Sequence, residues 1–291
     1  MPELAWWMLA AAGGLLGLLI GSFLNVVIYR LPKMMERQWA AECAALAAGQ
    51  PAAADAPAGS FNLLTPRSRC QQCGHQIRWF ENIPVISYLF LRGRCSSCKA
   101  RISLRYPVVE LVTAAFFALC AARWCLSWQA AGWAVFASLL ICMFLIDMDT
   151  TLLPDDLTLP LLWIGLIASM SGWTRVPLPD AVWGAIGGYL SLWLVYWAFK
   201  LATGKEGFGY GDFKLLAALG AWLGVKYLLA IILLSTCVGA VIGLVLLLRG
   251  KLADHTMPFG PYLAGAGLLC FALEPATLPA LLPIAFPFGT P

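Results

Sequence analysis

The sequence predicts an all-α, polytopic membrane fold of about eight transmembrane helices, with one small domain outside the bilayer. Three observations carry that expectation. Of the 291 residues, 61% are apolar and only 12% charged, where a soluble domain carries about 25% charged residues. Apolar runs long enough for a bilayer core, roughly 17–25 residues, recur along the chain. The charges are also unevenly spread: eleven of the nineteen Lys and Arg residues fall between Arg30 and Arg105.

The apolar runs lie at Ala10 to Tyr29, Tyr106 to Leu126, Ala130 to Ile146, Leu157 to Met170, Ala181 to Leu201, Tyr227 to Leu248 and Met257 to Leu273, with a shorter piece from Phe213 to Gly224. Glu3 is the only charge ahead of the first run, and Arg30 and Lys33 follow it. That order is wrong for a cleaved secretory signal, so the first run is expected to be a retained helix. Gly13, Gly17 and Gly21 in the first run, and Gly184 and Gly188 in the fifth, recur at the spacing that lets membrane helices approach closely. No internal repeat is evident.

Basic residues favour the cytoplasmic side, which places the stretch from Arg30 to Arg105 in the cytoplasm and the N-terminus outside. Counting crossings onward puts Asp147 to Asp156 and Lys200 to Asp212 on the cytoplasmic side, with Arg123 to Gln129 and Gly172 to Asp180 opposite. The expected division is a first transmembrane helix (1–29), a cytoplasmic domain (30–105) and a second membrane domain (106–291). Ala40 to Ser60, rich in Ala, Pro and Gly, reads as a linker or a loosely held helix. The net charge of +4 follows from the positive-inside bias. The bilayer is therefore the expected partner of this charge, and nucleic acid is not.

Within the cytoplasmic stretch, Cys70-Gln-Gln-Cys73 and Cys95-Ser-Ser-Cys98 form two C-x-x-C pairs with twenty-one residues between them. This is the pattern of a four-thiolate zinc site on two tight knuckles, a zinc-ribbon-like domain, with Gly74 turning the first. Disulfides or a redox pair compete on spacing alone, but a cytosolic location keeps thiols reduced. Four Cys ligands leave no open position, so the zinc is expected to be structural. His75 is expected beside the site rather than on the metal. The other cysteines (Cys43, Cys120, Cys125, Cys142, Cys237, Cys270) read as small apolar side chains.

Acids at membrane depth are costly and point to function. Two stretches stand out: Phe144-Leu-Ile-Asp147-Met-Asp149 with Pro154-Asp155-Asp156 beyond it, and Gly207-Phe-Gly209-Tyr-Gly211-Asp212-Phe-Lys214. Both fall on one side by the charge parity, so their side chains can meet. Asp155 and Asp156 follow Pro154 and precede an apolar helix, the place for an N-cap and a first-turn acid. Asp147 and Asp149 lie roughly 200° apart on a helix, so only one faces a given partner. For Asp212 an N-cap is the plainer reading, although the flanking glycines suit close backbone approach. Lys214 is near enough in sequence to influence Asp212, or to snorkel to the interface.

These residues carry a resemblance. Gly209-Tyr-Gly211-Asp212, Asp147 ahead of Leu153-Pro154-Asp155, Gly21-Ser-Phe-Leu-Asn-Val-Val-Ile-Tyr-Arg-Leu-Pro32, the paired C-x-x-C motifs, Trp79-Phe-Glu-Asn-Ile-Pro84 and Arg105-Tyr-Pro-Val-Val-Glu110 together resemble the type IV prepilin peptidases. These are bacterial inner-membrane enzymes of the GxGD aspartyl protease group. The resemblance spans nearly the whole chain. It implies a catalytic pair Asp147 and Asp212, with Asp149 at a less essential position. It also implies cleavage of the basic leader of prepilins and of type II secretion pseudopilins, and N-methylation of the new N-terminus with S-adenosylmethionine as donor. The sequence itself contains no G-x-G-x-x-G loop for such a donor.

Two carboxyls sharing one proton can hydrolyse a peptide, one activating water and the other protonating the scissile carbonyl. Intramembrane acids also mark ion pathways, so a proton-linked transporter is the alternative, but the matching broken half-repeats that favour it are missing. A third reading is an assembly scaffold with a zinc-bound docking module. One tension stands in the preferred reading: the cytoplasmic stretch has eleven basic against four acidic residues, which repels a basic leader. Glu81 or Glu110 is the expected local attractor.

Overall fold

The computed structural model describes residues 4–49, 61–205, 209–250, 257–273 and 283–286. The linker beyond residue 49, Glu3, Gly207 and Lys251 lie outside the described residues. Helix is the only extended secondary structure among the described residues; the β contacts are two isolated bridges, Arg69 with Gln76 and Arg94 with Arg101. The helices are α1 (Leu4–Ala47), α2 (Ile86–Phe90), α3 (Arg105–Trp124), α4 (Trp128–Thr150), α5 (Asp155–Met170), α6 (Leu178–Thr203), α7 (Tyr210–Leu223), α8 (Val225–Leu248) and α9 (Gly260–Ala272). Five of them, α1, α3, α4, α6 and α8, are long and apolar enough to cross a membrane. The expected count of about eight includes α5, α7 and α9, which have 16, 14 and 13 residues and fall short of the roughly 20 that a lone span needs.

The chain forms two compact units, Met1–Ala118 and Leu119–Pro291. In the first, α1 does not stop at Tyr29 but continues to Ala47. Arg30 and Lys33 mark the end of the apolar run, not of the helix, because Met34, Glu36, Arg37 and the alanines that follow are strong helix formers. The first part of the expected linker is therefore helical. Small residues bring α1 against α3: a Cβ on Gly17 would lie 2.6 Å from Ala114 Cα, and one on Gly21 would lie 2.7 Å from Glu110 Cα. The chain after α1 is drawn back by Arg30, whose guanidinium donates to the carbonyls of Asn62 (2.8 Å) and Pro66 (2.6 Å).

In the second unit α7 is the central element, packed by α5, α6, α8 and α9 and buried from Asp212 to Leu223 apart from Lys214. A helix wrapped by other helices meets no lipid, which is why 14 residues suffice. Lipid tails are as apolar as Leu, so close packing rather than the hydrophobic effect must hold it. Glycines supply that packing. A Cβ on Gly188 would lie 2.6 Å from the Leu216 carbonyl oxygen, and Gly184 and Gly220 sit with each backbone against the other. At the far end of α7 the Trp222 indole donates to the Leu161 carbonyl at 2.8 Å and lies over Gly165. Trp133, Phe136 and Phe271 pack around it, with Trp133 and Phe271 stacked at 4.8 Å. The outer faces of α6 and α8 expose Trp183, Leu194, Val241 and Leu244, an apolar surface suited to lipid.

The glycine contacts predict a graded response. Gly220→Ala places a methyl into backbone that cannot yield and should cost about 1–3 kcal/mol, read as a lower unfolding temperature in detergent. Gly132→Ala, whose Cβ would meet Trp173 at an ordinary 3.5 Å, should change little. Equal responses at the two positions would contradict this packing account.

Candidate active site

Asp147 sits in the last turn of α4, with 4% of its surface exposed, and Asp149 points outward as the 200° offset requires. After Thr151, in left-handed conformation with its N–H on the Asp147 carbonyl at 2.9 Å, the chain turns through Leu153 into α5. Asp212 is the third residue of α7 and 6% exposed. The N-cap of α7 is Gly209, not Asp212, and the Asp212 carboxyl reaches back to the Gly209 N–H, one half of a capping box. The carboxyls of Asp147 and Asp212 are near enough to repel each other, so the structure brings together the two acids singled out in the sequence.

Two further residues build the pocket. Gly260 opens α9, and its backbone amide lies against the Asp147 carboxyl. A Cβ there would collide with Asp147 Oδ2 and approach Leu153 Cδ1 to 2.9 Å. Leu153 also fills the space beside Gly211, where a Cβ would lie 2.7 Å from Leu153 Cβ. Leu153 thus touches the elements that carry both acids, and only glycine fits on either side of it. Asp147 Oδ2 is buried and makes no hydrogen bond within the described residues. The sequence reading missed Gly260, since a Gly-Pro pair inside an apolar run signals only a helix start. Leu153 entered only as part of the Leu153-Pro154-Asp155 motif, with nothing to mark it as a wall of the pocket.

Lys214 does not face Asp212. Its ammonium bonds both oxygens of Asp155 at 2.7 Å, joining the first turns of α5 and α7. The expectation of an N-cap and a first-turn acid at Asp155 and Asp156 holds in its second half: both acids occupy the first turn of α5, but the N-cap is Pro154 and no side chain caps it. The pair is partly exposed, so it adds little stability and serves mainly alignment.

In the first unit the Sγ atoms of Cys70, Cys73, Cys95 and Cys98 lie within 4.8 Å of one another. Cys70 and Cys98 are 3.8 Å apart, which is about the edge of a tetrahedron whose ligands stand about 2.3 Å from a metal. The two knuckles repeat one hydrogen-bond pattern: Cys70 N–H to the His75 carbonyl and Gly74 N–H to the Cys70 carbonyl, then Cys95 N–H to Ala100 and Lys99 N–H to Cys95. The left-handed corner falls on Gly74 in one and Lys99 in the other. Backbone N–H groups of Cys73 and Gln72 pull the Cys70 thiol down to about 6, while, against the Ala100 N–H, the neighbouring cysteines push the Cys98 thiol up to about 11, as sulfurs crowded around one point must. The donor set therefore fits a metal ion.

His75 is not among the clustered groups. Its Nε2 lies 3.3 Å from Ser96 Oγ and 3.5 Å from Glu81. The Arg78 N–H, with Ser96 and His75, holds the Glu81 carboxyl below the usual carboxylate range. Glu110 accepts the Val85 N–H at 2.8 Å and the Ser22 hydroxyl. Both acids expected to attract a basic leader are thus engaged within the first unit.

Comparison with known proteins places this geometry. Residues 15–124 match the model of the bacterial peptidase A24 N-terminal domain, and residues 134–244 match that of the type IV leader peptidase family. A prepilin leader peptidase/N-methyltransferase of Pseudomonas aeruginosa is 55% identical over 254 residues, covering 87% of this chain and 86% of its own. Relatives of the same name from Stutzerimonas stutzeri and Aeromonas salmonicida are 56% identical over 256 residues and 51% over 263. The first covers 87% of this chain and 86% of its own, the second 90% and 89%. No solved structure matches. With half or more of the residues identical over most of both chains, this multi-pass membrane chain belongs to the type IV leader peptidase family.

Proposed function

We propose that the chain is an intramembrane aspartyl endopeptidase that removes the basic leader of type IV prepilins and type II secretion pseudopilins and then N-methylates the new terminus. The observation that carries the peptidase reading is the pairing of two buried carboxyls, Asp147 and Asp212, at the ends of α4 and α7. One ionised carboxylate takes a proton from water, and its protonated neighbour donates to the scissile carbonyl oxygen; with roles exchanged, a proton then returns to the leaving amine. The Gly260 and Gly209 N–H groups, at the first turns of α9 and α7, orient the carboxyls. Asp147 Oδ2, without a hydrogen-bond partner among the described residues, is the atom placed to take a proton from water or substrate. A proton-linked transporter finds no support among the relatives, which carry a peptidase name.

S-adenosylmethionine would supply the methyl group. That donor is carried by the relatives' name, and no residues are assigned to it. The four cysteines are proposed to bind a structural zinc, the ion that tetrahedral thiolate sites favour. The division into a first transmembrane helix (1–29), a cytoplasmic zinc domain (30–105) and a membrane protease domain (106–291), placed in the bacterial inner membrane with the N-terminus in the periplasm, is part of the same proposal.

Three experiments test these readings. Asp147→Asn and Asp212→Asn should each abolish cleavage of a prepilin followed by mass spectrometry, with the fold and bound metal intact. The double variant should lose little more than either single one, and Asp149→Asn should be milder. Gly260→Ala displaces the Asp147 carboxyl and should cost about a hundredfold in rate, whereas Gly209→Ala, whose Cβ would stand 3.8 Å from Asp212 Oδ2, should cost far less. Substantial activity in Asp212→Asn would overturn the assignment. Metal analysis should find one zinc per chain, lost in Cys70→Ser and Cys98→Ser together with the order of that module; an active protein without zinc contradicts it. Single cysteines at Thr151 and Thr203 should label only from the cytoplasm, and those at Ser127 and Ser171 only from the periplasm, in a background without other reactive thiols. Periplasmic labelling at Thr151 would reverse the topology.

A further inference from the structure

Between the two cysteine knuckles the chain exposes a run of large apolar side chains. Trp79 is 82% exposed, Leu89 68% and Phe90 85%, with Phe80, Ile83 and Ile86 also open. They fall on a short 3₁₀ turn (Trp79–Asn82), on α2 and on the turn between them, two elements in contact with each other, so they gather into one stripe of the module rather than scatter over it. A soluble module has no reason to present such a surface to water. Basic residues flank it in sequence: Arg78, Arg92, Arg94, Lys99 and Arg101 are exposed, and Glu81 is the lone acid between residues 78 and 105. The Arg78 guanidinium stands 5.9 Å over the Phe80 ring.

The depth of the stripe is fixed by one tether. Val85, between the 3₁₀ turn and α2, donates its N–H to Glu110 at 2.8 Å. Glu110 is five residues into α3, about 7–8 Å from its start at the helical rise, and α3 is apolar and long enough to span. That distance matches the few ångströms of headgroup layer on each side of a bilayer core. Val85 is held at φ +58°, a conformation that a β-branched residue adopts only when its surroundings impose it.

We propose that the stripe of Trp79, Phe80, Ile83, Ile86, Leu89 and Phe90 is an interfacial membrane anchor that seats the four-cysteine module on anionic lipid headgroups. Aromatic and aliphatic side chains enter the headgroup boundary while arginines at its edge meet lipid phosphates, the arrangement by which amphipathic segments lie in an interface. The charge selects this occupant over the leader peptide, because a basic flank repels a basic leader and attracts anionic lipid, by about fivefold for each arginine near the surface.

The proposal rests on the membrane reading but not on the aspartate pair. Full-length protein carrying the photoreactive residue benzoylphenylalanine in place of Phe90, or in place of Gln71 on the first knuckle, is reconstituted in nanodiscs of phosphatidylethanolamine with either phosphatidylglycerol or phosphatidylcholine and irradiated. Position 90 should yield phospholipid adducts by mass spectrometry and position 71 should not, with several-fold more adduct when phosphatidylglycerol is present. Arg78→Gln with Arg92→Gln should remove most of that preference. Adducts at position 90 to an added prepilin or to a second copy of the chain, or no lipid adduct there, would overturn the anchor. Prepilin cleavage in the same nanodiscs reports separately on the enzyme: cleavage without a lipid adduct sinks the anchor alone, and adduct without cleavage sinks the peptidase reading alone.

Discussion

The enclosure of α7 is the constraint on which the second unit depends. A 14-residue helix can start within the bilayer zone, acid included, only if other helices satisfy and surround it. With no hydrophobic gain from hiding Leu from lipid, the work falls to backbone proximity. Gly184 and Gly188 on α6 and Gly220 on α7 let the two helices meet at main-chain distance. The Trp222 bond to Leu161 then fixes the opposite end of α7 against α5. Because α7 is held along its length, the position of its first turn, and so of Asp212, is set by packing far from the acid itself.

The ends of the helices do the rest. The last turn of α4 and the first turns of α5, α7 and α9 converge, and the Lys214–Asp155 pair holds α5 and α7 in register. Helix N-termini offer unpaired N–H groups, and here those of Gly209 and Gly260 face the two carboxyls. Burial and mutual repulsion oppose charge at this place while the amides favour it. A site balanced in this way suits proton exchange better than a fixed ion pair, which would hold one state.

Much of this was readable from the sequence because membrane segments are marked by composition. Each apolar run has its helix, with α3, α5, α6, α7, α8 and α9 within three residues of the expected ends and α4 running four residues further. The first run failed at its C-terminal side because hydropathy reports lipid contact and not helicity: Met34 to Ala47 is polar enough for water yet strongly helix-forming. The two acids were found because charge in an apolar setting is conspicuous. Gly260 and Leu153 were not, since a glycine before a proline and one leucine among many look alike wherever they fall. Lys214 was left between an influence on Asp212 and snorkelling to the interface, whereas its ammonium bonds Asp155 at the start of α5. The cysteine knuckles were readable through their spacing, but the matching corner on Lys99 was hidden because a lysine rarely adopts positive φ.

Glu81 and Glu110 settle where the charge of the first unit acts. Both were expected to draw in a basic leader, yet Glu81 holds the Arg78 amide and His75, and Glu110 holds Val85 and Ser22. What this module offers outward is then apolar and positive. A basic peptide gains nothing by approaching such a surface, so the attraction that concentrates a leader at this enzyme must come from somewhere other than this part of the first unit. Exposed Asp149, and Asp156 beside the Lys214–Asp155 pair, lie in the second unit at the end of the bundle where Asp147 and Asp212 meet. The exposed acids thus lie at the end of the bundle that holds the two buried carboxyls, whereas the exposed charge of the four-cysteine module is basic.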